Sequence, residues 1–251
     1  MQAPTTRAEK THSVVEHDEN PSRLHASLKT TKLIILFSFW IALSGWMVNF
    51  DLGYGGTVLQ MESFRSTFGH CSEVRNAATG QTHRVCSLSA IEQSIVSLSS
   101  LFVALGAALS GIIGSRLGRR GTIQAGCALI AVGAAGQCGT AGNYVAYNAC
   151  KSISCVGIGL LNAGGPLYGV EVTPPSTRGA LVAIFTIGTA SGTLTVACVC
   201  FGSSHLTGDW QWRIPVLIQI PIAIIYALGL LLFPESPRWL LTKDREEEAR
   251  R

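Results

Sequence analysis

Charge is confined to short stretches of this chain. No Asp, Glu, Lys or Arg occurs in Leu33 to Phe50, Gln93 to Ser115, Gly121 to Cys150, Ser152 to Val170, Gly179 to Gly208 or Ile214 to Pro234. A helix crossing a bilayer needs about 20 mostly apolar residues, because each backbone polar group must find its partner inside the segment. Each tract can supply one crossing. A soluble helical protein would show polar faces at the helical period along these segments, and they are apolar nearly all round. Charged residues are 14% of the chain, against roughly 25% in soluble domains.

The 19 basic residues alternate with the tracts and form no face for nucleic acid. If the N-terminus lies inside, Arg7, Lys10, Arg23, Lys29, Lys32, Arg116, Arg119, Arg120, Arg178, Arg238, Lys243, Arg245, Arg250 and Arg251 all fall on the inner side. Arg65, Arg75, Arg84 and Arg213 fall outside, and Lys151 lies at or within a tract. The positive-inside rule then places both termini in the cytoplasm.

The expected organisation is a disordered cytoplasmic tail over 1–31, a six-helix transmembrane domain over 32–234 and a charged cytoplasmic segment over 235–251. The tail has no short apolar core followed by a small-residue cleavage site, so the first apolar segment is read as a retained helix. The helices are expected near 33–55, 92–141 (two helices and a basic link), 144–167, 179–201 and 213–233, with an outer loop over about 56–91. Pro166, with Pro174 and Pro175 beyond it, is expected to end the fourth helix.

Cys127, Cys138, Cys150, Cys155, Cys198 and Cys200 lie among apolar residues without zinc-type spacing, so no metal or other cofactor is expected. Cys71 and Cys86 fall in the outer loop, where they form either a disulfide or two free thiols. No H-E-x-x-H or G-x-S-x-G occurs, and an enzyme is not expected.

Three spaced motifs carry a resemblance. Gly111-Ile-Ile-Gly-Ser-Arg-Leu-Gly-Arg-Arg120 resembles G-x-x-x-D-R-x-G-R-R of the major facilitator superfamily, departing from it at Ser115. The segment from Pro166 to Gly179 is similar to the sugar-porter pattern P-x-Y-x-x-E-x-x-P-x-x-x-R-G. Pro234-Glu-Ser-Pro-Arg-Trp-Leu240 resembles P-E-S-P-R-W-L. Phe50-Asp51-Leu-Gly-Tyr-Gly-Gly56 looks like the F-G-Y-D-x-G region of proton-coupled members. The resemblance implies an all-α integral membrane fold, with six transmembrane helices forming the N-terminal half of a major facilitator protein. It implies transport of a sugar or related polyol by alternating access, with protons as a second partner. A second six-helix half is expected in the complete protein, since such sites lie between two halves. The location implied is a multi-pass protein of the plasma membrane.

The resemblance also distributes roles. Arg116, Gly118, Arg119, Arg120, Glu171, Arg178, Glu235 and Arg238 would form a cytoplasmic gate whose charge pairs close in one conformation and open in another. Ser115 removes a carboxylate from that link. Thr186 stands where many sugar porters have a sugar-binding Gln. Asp51 and Lys151 are candidates for proton coupling: an acid within a span is expensive and is read as functional with a partner, and Lys151 is the basic residue able to approach from another tract. Counted from Leu33 at about 1.5 Å per residue, however, Asp51 stands about 27 Å along, close to an outer interface where an acid is cheap. A transporter-like sensor or a non-transporting product is the alternative reading.

Overall fold

The computed structural model describes residues 21–75, 82–140 and 142–249. The chain divides into a short unit, 1–36, of which the helical stretch from Pro21 is described, and a unit of 37–251 that holds the remaining elements. Helix α1 is Pro21–Val58 and α2 is Glu62–Phe68. Strands β1 (His70–Arg75) and β2 (Thr82–Ser87) form an antiparallel hairpin. Then follow α3 (Ala90–Gly139), α4 (Tyr144–Val172), a 3-10 turn (Pro175–Thr177) and α5 (Arg178–Ser204). The chain continues through α6 (Trp210–Gly229), a second 3-10 turn (Leu230–Leu232), α7 (Pro237–Thr242) and α8 (Glu246–Ala249).

Among the described residues, 5 helical segments are long and apolar enough to cross a membrane: Ile35–Val58, Glu92–Gly139, Tyr144–Val172, Pro175–Ser204 and Trp210–Leu232. The second is not one straight rod. Gly118 within it has φ 84° and ψ 173°, a backbone region essentially closed to residues with a Cβ. A Cβ at Gly106 would lie 2.2 Å from the Val156 carbonyl oxygen and 3.0 Å from the Gly159 Cα, while one at Gly126 would lie 2.9 Å from the Gly157 carbonyl oxygen. In an unbroken helix residues 106 and 126 would stand about 30 Å apart at ~1.5 Å per residue. Both instead rest on the same turn of α4, so α3 folds back at Gly118 and its two arms flank α4. Small residues at both contacts let the backbones meet, the usual way apolar helices pack in lipid.

Three expectations change. The polar stretch 21–31, assigned to a disordered tail, is the first part of α1, since Pro fits the first helical position and the following Leu, Ala and Lys residues favour helix. Residues 1–20, with Arg7 and Lys10, and the final Arg250 and Arg251, lie outside the described residues. The fourth helix does not stop at Pro166 but runs on to Val172. A proline removes one donor and bends a spanning helix, yet packed neighbours hold such helices together. The fold is also not purely α. The outer loop carries the β1–β2 hairpin, in which Cys71 and Cys86 are directly opposed and joined by a disulfide. Here α2 and the hairpin cap one end of the unit, where Phe64 and Phe68 pack on Tyr147 and Trp212 with ring centres 5.2 to 5.9 Å apart.

Candidate functional site

Two polar constellations interrupt the apolar packing. The first lies on α1 and α4. Asp51 is 0% exposed, and Lys151 reaches it from α4 with Nζ 2.9 Å from Oδ2 and 3.1 Å from the Asp51 carbonyl oxygen. Asp51 therefore does not sit at an open interface, because the chain beyond it continues as helix to Val58 and α2 folds over that end. Its second oxygen, Oδ1, has no hydrogen-bond partner among the described residues. An ion pair in such surroundings loses several kcal/mol of hydration per ion, roughly, and endures because removing one partner is worse, by about 3 to 5 kcal/mol.

The second constellation gathers at the Gly118 fold-back. Arg119 grips Glu171 at the end of α4 with two bonds, Nε to Oε2 at 3.0 Å and Nη2 to Oε1 at 3.1 Å. The Ser236 hydroxyl donates to the same carboxylate at 2.6 Å, and the Glu171 side chain is 5% exposed. Glu235 does different work. Its Oε1 accepts from the backbone N–H groups of Arg119 (2.9 Å), Arg120 (3.0 Å) and Ser236 (3.0 Å). The first two are the leading, otherwise unpaired donors of the second arm of α3, where a helix attracts negative charge. Glu235 thus caps that arm from the segment after α6. Arg120 donates from Nη1 to the Phe233 carbonyl at 2.9 Å, and Trp239 donates from Nε1 to the Ser115 carbonyl at 3.2 Å, closing the end of the first arm. Tyr168 donates to the Pro234 carbonyl.

Gly118 is required here twice over. Its backbone is left-handed, and a Cβ would lie 2.6 Å from Glu235 Oε2. Gly118→Ala is expected to destabilise the protein by about 2 kcal/mol from backbone strain alone. Thermal unfolding of the solubilised chain, followed by tryptophan fluorescence, checks this, and an unchanged midpoint contradicts it.

Of the expected gate residues, the fold brings together Gly118, Arg119, Arg120, Glu171 and Glu235. Arg238 is exposed beside the Glu171 carboxylate. Arg116 and Arg178 are exposed at the same end, outside this network of bonds. A cleft of about 830 Å³ opens there, bordered by Ser115, Arg119, Glu171, Arg238, Trp239 and Lys243. Ser115 turns its hydroxyl back to the Ile112 carbonyl of its own helix, 2.8 Å away. Thr186 is exposed on α5 and bonds the Val182 carbonyl at 3.0 Å. Sequence reasoning missed Tyr54 beside Lys151, Ser236 and Trp239. Ser236 had a signal, a serine just before Pro237, which is the pattern of a helix cap.

A family model described as sugar (and other) transporter matches residues 37–251. The chain belongs to this family. It is thus a multi-pass membrane protein of a transporter family, not an enzyme family. The high-affinity glucose transporter ght2 of Schizosaccharomyces pombe is 30% identical over 221 residues, covering 88% of this chain and 40% of the relative. The high-affinity fructose transporter ght6 of the same organism is 30% identical over 218 residues, covering 86% and 40%. The major facilitator-type transporter ecdD of Aspergillus rugulosus is 31% identical over 217 residues, covering 86% and 39%. The chain therefore spans about 40% of the length of these relatives. Among solved structures, the proton:xylose symporter XylE bound to 6-bromo-6-deoxy-D-glucose superposes with a TM-score of 0.73 at 22% identity, over 87% of this chain and 48% of that one. The inward-open form of the xylose transporter XylE from E. coli gives 0.69 at 24% identity, over 86% and 52%. These establish the major facilitator fold.

Proposed function

We propose that the chain is the N-terminal half of a proton-coupled transporter of a sugar or related polyol, working by alternating access. The observation that carries the reading is Asp51, a fully buried carboxylate within a span whose charge is met by a cation from another helix. Such a group is kept where it loads and releases a proton. The relatives' names supply the solute class. The fold-back at Gly118 makes six crossings from five segments. The Gly118 end carries Arg116, Arg119, Arg120, Arg178, Arg238, Lys243 and Arg245, which supports a cytoplasmic location for it and for both termini. The disulfide-bearing hairpin then faces an oxidising exterior, in keeping with the plasma membrane.

In this reading the Arg119, Glu171 and Glu235 network is the inner gate, joined in the state seen here and parted when the inner side opens. Thr186 is the contribution of this half to the solute site, where its hydroxyl exchanges the Val182 carbonyl for a polyol. Such sites lie between two six-helix halves. The 251 residues alone are therefore expected to give no accumulation of hexose in a transport-deficient host, while the chain joined to a second half gives accumulation that a protonophore collapses. Uptake by this chain alone, or accumulation indifferent to a protonophore, would overturn the reading.

A further inference from the structure

The Lys151 ammonium has three N–H bonds and three partners. The Asp51 carboxylate and carbonyl take two, at 2.9 and 3.1 Å, and the third side is closed by the Tyr54 ring, 3.9 Å from its centre. Tyr54 is 0% exposed and stands three residues after Asp51, hence on the same side of α1. The lysine stem passes Gly55, where a Cβ would sit 3.9 Å from Cε. Tyr54 does not end the chain of contacts. Its hydroxyl donates to Gln137 Oε1 on α3 at 2.8 Å, and Gln137 Nε2 donates to Ser154 Oγ at 3.3 Å, back on α4 three residues from Lys151. Gln137 and Ser154 are both 0% exposed. The contacts form a closed circuit through α1, α4 and α3.

We propose that Tyr54 is a positioning residue for the Asp51 and Lys151 pair: it forms the third wall of a cradle shaped for an ammonium group and ties the pair to α3 through Gln137. A guanidinium does not fit this cradle. It presents five donors in a planar fork, while the walls offer at most three acceptors, the two Asp51 carboxylate oxygens and its carbonyl, and a ring face. The site is thus selective for lysine by geometry and not by charge alone. The consequence for coupling, which rests on the proton reading of Asp51 above, is that a proton on Asp51 removes only one of the three ammonium contacts. Tyr54 and the carbonyl keep Lys151 in place, ready to re-form the pair when the proton leaves. A Tyr54 that merely fills space would leave the reactivity of Asp51 untouched when replaced.

Dicyclohexylcarbodiimide, which modifies protonated carboxyl groups in apolar surroundings, reads the pair directly in the 251-residue chain held in vesicles, with labelled Asp51 quantified by mass spectrometry and Asp51→Asn as the blank. Tyr54→Leu is expected to speed labelling roughly thirtyfold, the worth of a desolvated cation–π contact in an equilibrium ratio. Tyr54→Phe keeps the ring and gives a smaller rise, which isolates the Gln137 tie in a variant that preserves core volume. Lys151→Arg is expected to label as fast as Lys151→Gln, and Tyr54→Val with Lys151→Arg, which opens space for the fork, to return toward the slow wild-type rate. Wild-type rates in both Tyr54→Leu and Tyr54→Phe, slow labelling in Lys151→Arg alone, or no recovery in the double variant would overturn the cradle. If labelling changes as expected while proton-driven uptake by the completed protein does not, the cradle stands and the coupling role of Asp51 falls.

Discussion

Asp51→Asn is expected to abolish proton-driven accumulation in a protein completed by its second half, while solute still exchanges down its gradient. Asn has nearly the size of Asp and keeps an oxygen that the Lys151 ammonium, now 2.9 Å from Oδ2, can use. The fold is expected to hold at reduced stability, because the amide leaves the Lys151 charge buried without its counter-ion, a change that costs about 3 to 5 kcal/mol. The variant lacks a group that cycles between charged and neutral forms, so the link between α1 and α4 can no longer be loosened by a proton. Counterflow of labelled sugar in vesicles, with and without a pH gradient, separates the two activities. An Asn variant that still concentrates solute would reduce Asp51 to a structural acid. The stability side of the same pair gives an internal control. Lys151→Met leaves a buried carboxylate without its cation and costs about 3 to 5 kcal/mol, whereas replacing both charges is far milder.

Glu235→Ala is the second large effect. One carboxylate oxygen holds the backbone N–H groups of Arg119, Arg120 and Ser236. Bonds to a charged acceptor contribute about 1.5 to 3 kcal/mol each when shielded. Glu235 is partly exposed, and water takes over part of that role. A net loss of about 2 kcal/mol from the joined state remains, roughly thirtyfold in its population relative to the parted one. Because the proposed solute site lies elsewhere, the completed protein should show slower turnover with little change in solute affinity. Arg119→Ala, which removes the two bonds to Glu171 and leaves the cap intact, should act in the same direction. Solute dissociation constants measured alongside uptake rates decide it: a weakened affinity with unchanged turnover would place these residues at the solute site instead.

The positions of the spans were legible because hydrocarbon forbids charge over a helix length, and Leu33 to Phe50 or Ile214 to Pro234 announce that directly. The contact of Asp51 with Lys151 was legible for the same reason: few other charges stand near a tract. Tyr54, by contrast, is one aromatic among several in an apolar stretch, and only three-dimensional placement shows its ring on Lys151 and its hydroxyl on Gln137. The exposed Arg116 and Arg178 could not be told from the engaged Arg119, because a basic side chain at a helix end satisfies the charge rule whether or not it has a carboxylate before it. Glu235 was visible as a motif residue, but its partners are backbone amides, which sequence does not distinguish. The hairpin at Cys71 and Cys86 was hidden for another reason. Its strands are short and polar, and no helical period marks them.

The fold-back of α3 onto one turn of α4 bears on how such a chain is assembled in the membrane. Its contacts, Gly106 with Gly159 and Gly126 with Gly157, join segments close in sequence, so two arms and the helix after them can associate as soon as α4 leaves the ribosome. Local contacts form fastest because little chain entropy is lost in making them. Lys151 enters the bilayer on that same helix, and its acid partner was synthesised 100 residues earlier. Insertion of α4 is therefore eased when α1 already waits alongside with Asp51. Delayed insertion of the first helix should strand a lone cation in the translocon, and the quality-control machinery that surveys nascent membrane proteins would meet the defect at α4, not at the helix that caused it.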